Sequence, residues 1–445
     1  MRTDFSQGPM WKNIINQAVP LTLAQLVHLL YNVVDRIYLG HMPGADALAL
    51  TGIGLSFPLI SLIGAFTALF GTGGTPLFSI ARGEKDEQRA EHILGNCTAL
   101  LLISSVVLFA FCYALRRPIL YLFGASDASY VYADQYLRIY LFGTFFTMLT
   151  TGLNGFINAQ GFPRTGMLTT LLGAVLNIIL DPLFIFVFHM GVGGAALATV
   201  LSQLASCLWV MHFLTGKKAL LVIRRQHLRL RWDTVKNIIS LGCAGFIMNC
   251  TSCLVQIACN TTLQRWGGDL YVGIMTVIGS LRDILMLPVN GISQGAQPVI
   301  GYNYGAKRND RVKEGIRFTT YLGTAFTLVA WIAIMVFPRQ LFSIFTKDTT
   351  LLSEGARVMN LYFFGFVFMS FQFAGQITFT ALGYAKRAIL FSLLRKAIIV
   401  APLTVLLPIW GFGVDGVFLA EPISNAVGGL ACGITMYLTV YRNLE

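Results

Sequence analysis

The sequence predicts an all-α integral membrane protein: twelve transmembrane helices in two six-helix lobes, related by an internal repeat. Two observations carry this prediction. Hydrophobic residues make up 55% of the chain and charged residues 12%, with a mean hydropathy of +0.67, whereas a soluble domain carries about 25% charged residues. A shift of 222 residues also lays the second half on the first without a gap: Pro76 on Pro298, Gly83 on Gly305, Lys85 on Lys307, Arg89 on Arg311, Tyr140 on Tyr362, Gly143 on Gly365, Gly161 on Gly383 and Gly191 on Gly413. A constant offset across turn glycines means that helices and loops have equal lengths in both halves.

Apolar stretches of about 20 residues recur along the chain, each long enough to cross a ~30 Å hydrocarbon layer. In order they cover 12–40, 48–73, 92–115, 128–160, 165–189 and 194–214, then 233–264, 271–296, 314–337, 355–383, 386–409 and 415–441. The first six form an amino-terminal lobe (1–215) and the last six a carboxyl-terminal lobe (233–445), joined by a basic linker (216–232). The first span lacks an A-x-A-like exit and holds an aspartate, so no cleavable signal peptide is expected. In span 2 the run Gly71-Thr72-Gly73-Gly74-Thr75 lacks the lysine of a phosphate loop, and close helix packing explains its small residues.

A net charge of +12 raises the question of nucleic acid. The charge distribution answers it. Of the 32 Lys and Arg residues, 21 fall on one side of this span pattern, 6 on the other and 5 within spans. The positive-inside rule then puts both termini in the cytoplasm, and nucleic acid is not needed. Each half has an even number of spans, so both start from the same side and the repeat is parallel, about an axis along the membrane normal. Six Lys/Arg among the seventeen residues Gly216–Trp232 fit a topology determinant on the cytoplasmic side.

Enzymatic readings find no support. No large soluble domain or G-x-x-x-x-G-K-[ST] run is present, and the six histidines form no H-E-x-x-H array. Cys250-x-x-Cys253 sits mid-span without a nearby histidine, and cysteine there behaves as a small hydrophobe. No cofactor is expected.

The informative residues are ionisable or polar groups at membrane depth, which are costly there and mark ion or substrate pathways. Asp35 lies near the outer end of span 1, and Asp181 on span 5 is followed directly by Pro182. At ~1.5 Å per residue, Asp181 stands ~24 Å and Asp35 ~27 Å above the cytoplasmic starts of their helices. Thr199 on span 6 and Tyr136 on span 4 lie roughly 8 to 12 Å below the outer surface, at the same level. Asn177 is one turn deeper than Asp181 on the same helix face. Two carboxylates, an amide, a hydroxyl and a phenol form an oxygen-rich pocket suited to a proton or Na⁺, and no other metal is expected. Proline inside a span frees a carbonyl, so Pro182 marks a structural kink.

The equivalents of Asp35 and Asp181 in the second lobe are Ile257 and Leu403, so this acidic site is confined to the first lobe. Asp283, ~18 Å down span 8, and Lys396, ~15 Å up span 11, reach one level near the midplane, which suggests an intramembrane ion pair. Asn154, Asp283, Gln256 and Met286 are assigned to the substrate path, although an amide such as Gln256, Asn260, Gln372 or Gln376 more commonly bonds helix to helix.

Asp35, the run Asn177…Asp181-Pro182, Thr199, and the cytoplasmic runs Ala81-Arg82-Gly83 and Gly301-Tyr302-Asn303-Tyr304-Gly305-Ala306 together resemble the multidrug and toxic compound extrusion (MATE) family, in its bacterial branches. The resemblance covers essentially the whole chain. It implies a two-lobed exporter that expels lipophilic, mainly cationic compounds in exchange for inward H⁺ or Na⁺, with a cation site at Asp35, Asn177, Asp181, Thr199 and Tyr136. One branch of the family has acidic residues in spans 7 and 10. Here span 7 has none beyond Asp233 and span 10 none beyond Glu354, so a sodium site of that type is not expected.

The expectation is therefore a multi-pass antiporter of a prokaryotic inner membrane, acting as a monomer on small organic cations, with the lipid bilayer as its other partner. The alternative is a flippase for a lipid-linked saccharide or cell-wall precursor, which requires several cations facing its cavity.

Overall fold

A computed structural model describes residues 3–40, 54–123, 125–345 and 349–444, and every element among them is helical. Residues 48–53 of the second expected span and the side chain of Arg36 lie outside the described residues. The helices run α1 (Met10–Gly40), α2 (Phe57–Gly83), α3 (Glu87–Leu122), α4 (Asp127–Tyr140), α5 (Thr144–Ala159), α6 (Pro163–Pro182) and α7 (Gly191–Thr215). They continue as α8 (Trp232–Gly268), α9 (Leu270–Gly305), α10 (Asn309–Val336), α11 (Pro338–Ser343), α12 (Thr349–Phe363), α13 (Met369–Ala381), α14 (Ala385–Leu393), α15 (Ala401–Leu407) and α16 (Gly413–Thr439).

Nine helices among the described residues are long and apolar enough to cross a membrane, or ten if the pair Thr349–Phe363 and Phe366–Ala381, bent by 41°, counts as one span. The expected fourth span and the last two do not stand as separate uninterrupted helices. A 3₁₀ turn at Leu141–Gly143 divides the expected fourth span into α4 and α5. The last two expected spans form one 59-residue stretch, Ala385–Asn443, interrupted where Gly411 (φ 102°) and Gly413 (φ 54°) are left-handed.

Helix starts recur at the 222-residue spacing: Glu87 and Asn309, Asp127 and Thr349, Pro163 and Ala385, Gly191 and Gly413. Left-handed residues recur with them, at Lys85 and Lys307, Gly161 and Gly383, and Gly191 and Gly413. Chain reversals are therefore built at equal intervals along the sequence. Two of these starts carry side-chain caps. Asp86 caps α3 by accepting from the Arg89 N–H at 2.9 Å, and Ser126 and Ser129 form a capping box at the start of α4. Such caps satisfy donors that a helix start leaves unpaired.

By internal contacts the chain divides into a first unit, Met1–Asp4 with Pro20–Gly242, and a second unit, Phe5–Val19 with Cys243–Glu445. In the first unit α2 packs on α3 and α5, and α7 packs on α4, α5 and α6. Small residues permit this. A Cβ on Gly71 would stand 2.9 Å from the Gly152 carbonyl oxygen, so α2 and α5 meet backbone to backbone.

The basic segment 216–232 belongs to the first unit and is no free tether. The Gln160 carboxamide accepts from the Leu220 and Leu221 N–H groups (2.8 and 3.0 Å) and donates to the Leu221 carbonyl (3.2 Å). Asn96 donates to the carbonyls of His227 and Arg229 and accepts from the Arg231 N–H at 2.8 Å. The second unit holds the start of α1 in the same way. Arg311 donates to the carbonyls of Gly8 and Phe5 (2.8 and 3.1 Å), while Phe5, Met10 and Ile14 enter its apolar core.

Candidate functional site

The first unit brings its polar membrane-depth residues together. Asp181 is fully buried near the end of α6, and Asn177, one turn earlier, is 2% exposed. The Asn177 amide donates to Asp181 Oδ1 at 3.3 Å and to Thr199 Oγ1 on α7 at 3.4 Å. Thr199 in turn donates to the Ala195 carbonyl at 3.0 Å. Its oxygen is thus oriented as an acceptor. Asp35 on α1 stands carboxyl to carboxyl with Asp181. Among the described residues no N–H or O–H donor reaches Asp181 Oδ2 or Asn177 Oδ1.

Three phenols complete the surroundings. Tyr136 is within electrostatic reach of Asp35, Asp181 and Tyr31, and Tyr31 of Asp35, Asp181 and Tyr140. Tyr136 and Tyr140 stack at 5.5 Å, one turn apart on α4. The sequence reading identified Tyr136 but missed Tyr31 and Tyr140. Their signal was present: Tyr31 is one turn before Asp35, and Tyr140 one turn after Tyr136, each on the same helix face.

Directly after Pro182 the helix changes to a π-helical turn, Leu183–Val187, in which the Phe188 N–H reaches the Leu183 carbonyl at 3.0 Å. Proline has no N–H to offer the carbonyl four residues back, and a widened turn accommodates the interruption. Within it, the backbone of Phe184 presses on Gly194 of α7, where a Cβ would lie 2.9 Å away.

Several other expected site residues do not belong to this cluster. Asn154 donates to the Gly166 carbonyl at 3.2 Å and ties α5 to α6; eleven residues, ~16 Å along α6, separate Gly166 from Asn177. Met286 is 6% exposed and packed in the core of the second unit with Val289, Val358 and Phe363, so its apolar side chain serves packing rather than a substrate path. Gln256 is exposed on α8 and donates to Asn260 at 3.1 Å. The expected Asp283–Lys396 pair is not formed. The Asp283 side chain is 65% exposed and meets only its neighbour Arg282, at 3.3 Å, because α9 turns it away from the lobe interior.

The partner of Lys396 is Glu421 on α16, at 3.3 Å. Arg395 stands 3.5 Å from the same carboxylate and donates to Asn425 Oδ1 at 2.9 Å. Arg395 and Lys396 lie on a π-helical segment, Leu394–Val400, and Glu421 is 5% exposed. Nearby, Arg282 donates to the Tyr362 hydroxyl at 3.2 Å. Sequence reasoning missed Glu421. Two signals marked it: a carboxylate at membrane depth, and a position 222 residues after Thr199. Among the described residues no group of three or more His, Cys, Asp or Glu is arranged to hold a metal ion.

Similarity to known proteins follows the same duplicated pattern. The MatE family profile matches twice, over residues 20–183 and 245–406. The chain is 23% identical over 436 residues to the multidrug export protein MepA of Staphylococcus saprophyticus, covering 98% of this chain and 95% of that one. It is also similar in fold to a crystal structure of MATE in complex with MaL6 (TM-score 0.92, 22% identity, 99% and 98% of the two chains). A structure of MATE in the bent conformation gives the same TM-score and identity over 98% and 96%. Relatives and fold are those of transporters, and the two profile matches cover most of an all-helical, multi-pass membrane chain. The chain belongs to the MatE family.

Proposed function

We propose that this protein is a secondary active antiporter of twelve spans, in two homologous six-span halves, that exports lipophilic, mainly cationic compounds in exchange for inward H⁺ or Na⁺. Asp35, Asp181, Asn177 and Thr199 hold the coupling ion, with Tyr136 beside them. The observation that carries this reading is the facing pair Asp35 and Asp181, with acceptor oxygens on Asp181 and Asn177 that no donor among the described residues reaches. Two carboxylates so placed repel each other, and a proton or Na⁺ relieves the repulsion. The similarity to a multidrug export protein supports the choice of cargo. The acidic pocket adds attraction for organic cations, and aromatic faces add ~0.5–2 kcal/mol.

Coupling then works by charge. With the pair occupied, the segment around Pro182 and its π turn settles into one arrangement, and with the pair empty into another. The two arrangements differ in affinity for the drug. One elementary charge crossing the membrane supplies ~2.3 kcal/mol per 100 mV, roughly a fiftyfold bias. The termini are cytoplasmic and the membrane is the inner membrane of a prokaryote, as the bias of basic residues suggests. Exposed polar residues on α8 (Asn249, Gln256, Asn260) and α9 (Thr276, Ser280, Asp283) support a water-lined path, since such groups do not face lipid. The flippase alternative needs free cations in its cavity, whereas Arg395 and Lys396 close on Glu421.

The test is dye efflux in inverted vesicles, driven separately by a pH gradient and by a sodium gradient. Efflux under one of the two is expected. Efflux under neither, with the protein present in the membrane, rejects the antiport reading.

A further inference from the structure

In the second unit, α10, α13 and the end of α16 enclose an open groove of about 400 Å³. Its lining includes Arg317 and Tyr321 of α10, Phe371 of α13, Ile434 and Tyr437 of α16, and Tyr441 just beyond. Tyr321 is 67% exposed and Tyr437 54%, and the rings of Tyr437 and Tyr441 stack at 5.5 Å. The groove is thus an apolar concavity walled by tyrosines and closed by a cation.

Its charge is unbalanced. Lys313 is one turn before Arg317 on the same face of α10, and Arg442 follows Tyr441. None of Lys313, Arg317 and Arg442 makes an ion pair with a described residue, and neither do the nearby carboxylates Asp310 and Glu314. Two other cations at this end, Arg311 and Arg387, are engaged. Arg311 holds the Gly8 and Phe5 carbonyls, and Arg387 lies 5.0 Å over the Tyr384 ring.

Depth agrees with charge. Arg317 stands ~12 Å from the start of α10, a helix ~42 Å long. With a ~30 Å hydrocarbon layer centred on the helix, the Arg317 backbone lies ~6 Å inside its edge, a depth from which a long guanidinium side chain reaches up to the phosphates, and tyrosines favour that boundary.

We infer that this groove binds an anionic phospholipid, its phosphate held by Arg317 with Lys313 and Arg442 beside it, and its acyl chain laid along Tyr321, Phe371 and Ile434. A soluble anion would use the cations but leave the apolar lining open to water or lipid. A zwitterionic lipid would fill the lining but neutralise the cations less.

The experiment uses the full-length protein in mild detergent, with phosphatidylglycerol or phosphatidylcholine of matched chains added and retained lipid counted by native mass spectrometry. Preferential retention of one phosphatidylglycerol is expected. Arg317→Gln should weaken it roughly fivefold, and the triple change with Lys313→Gln and Arg442→Gln roughly a hundredfold, at ~1 kcal/mol per cation. Ile434→Trp, which fills the groove and keeps every cation, should also remove the lipid, while Arg164→Gln in the first unit should change nothing. Equal retention of phosphatidylcholine, retention undiminished in the triple variant, or displacement of the lipid by inorganic phosphate would each overturn the assignment.

Discussion

The two units surround equivalent positions of the sequence repeat with different arrangements of charge. Thr199 in the first unit and Glu421 in the second are separated by the repeat interval, as are Tyr140 and Tyr362. In the first unit this level holds two carboxylates facing each other among an amide, a hydroxyl and phenols. In the second it holds a carboxylate closed by a lysine and an arginine, with a second arginine on the equivalent tyrosine. A closed ion pair needs nothing more and stiffens its surroundings. A facing pair of like charges is incomplete until a cation arrives. In the mechanism proposed above, these charges divide the labour between a responsive unit and a fixed one.

The largest effect should come from the responsive half. Asp181→Asn keeps the shape and removes the charge, so ion-driven efflux should fall to background while expression and unfolding temperature stay near wild type. Normal efflux at normal expression would break the contrast between the units.

Next comes the fixed half. Glu421→Gln leaves Lys396 and Arg395 buried without their carboxylate, and losing one partner of a buried pair costs ~3–5 kcal/mol. Thermal unfolding should drop clearly, and Lys396→Met added to the same protein should recover much of the loss. A double variant that melts no higher than the single one would show that the pair does not stabilise the unit.

The smallest effect sharpens the boundary of the network. Asp283 is largely exposed and meets only Arg282, so Asp283→Asn should change stability by ~0–1 kcal/mol. A loss as large as that of Glu421→Gln would place Asp283 inside the network after all.

The first-unit site was legible in the sequence because its members lie in helices that rise regularly from identifiable boundaries. Counting ~1.5 Å per residue brought Asp35, Asp181, Thr199 and Tyr136 to one level. The same count failed for Asp283 and Lys396, since rise gives depth and says nothing of direction around the axis. Met286 failed for the same reason, being at a suitable depth but turned into the core. Glu421 was within reach of the 222-residue shift, as the counterpart of Thr199. The backbone changes at Leu141–Gly143 and Leu183–Val187 left little trace, because 3₁₀ and π turns keep an apolar sequence apolar. Only Pro182 announced one of them.

The π turn after Pro182 also sets a rotational phase. It holds one residue more than an α turn would, and one residue corresponds to about 100° around a helix axis. Everything from Leu183 onward therefore faces a direction that a continuous α-helix would not give it. If the turn tightened to α, Phe184 would swing off Gly194, a contact with no room for even a methyl group. Gly194 is next to Ala195, whose carbonyl orients the Thr199 hydroxyl toward its role as an acceptor. A single residue of slack thus joins the winding of one helix to the aim of an oxygen on the next.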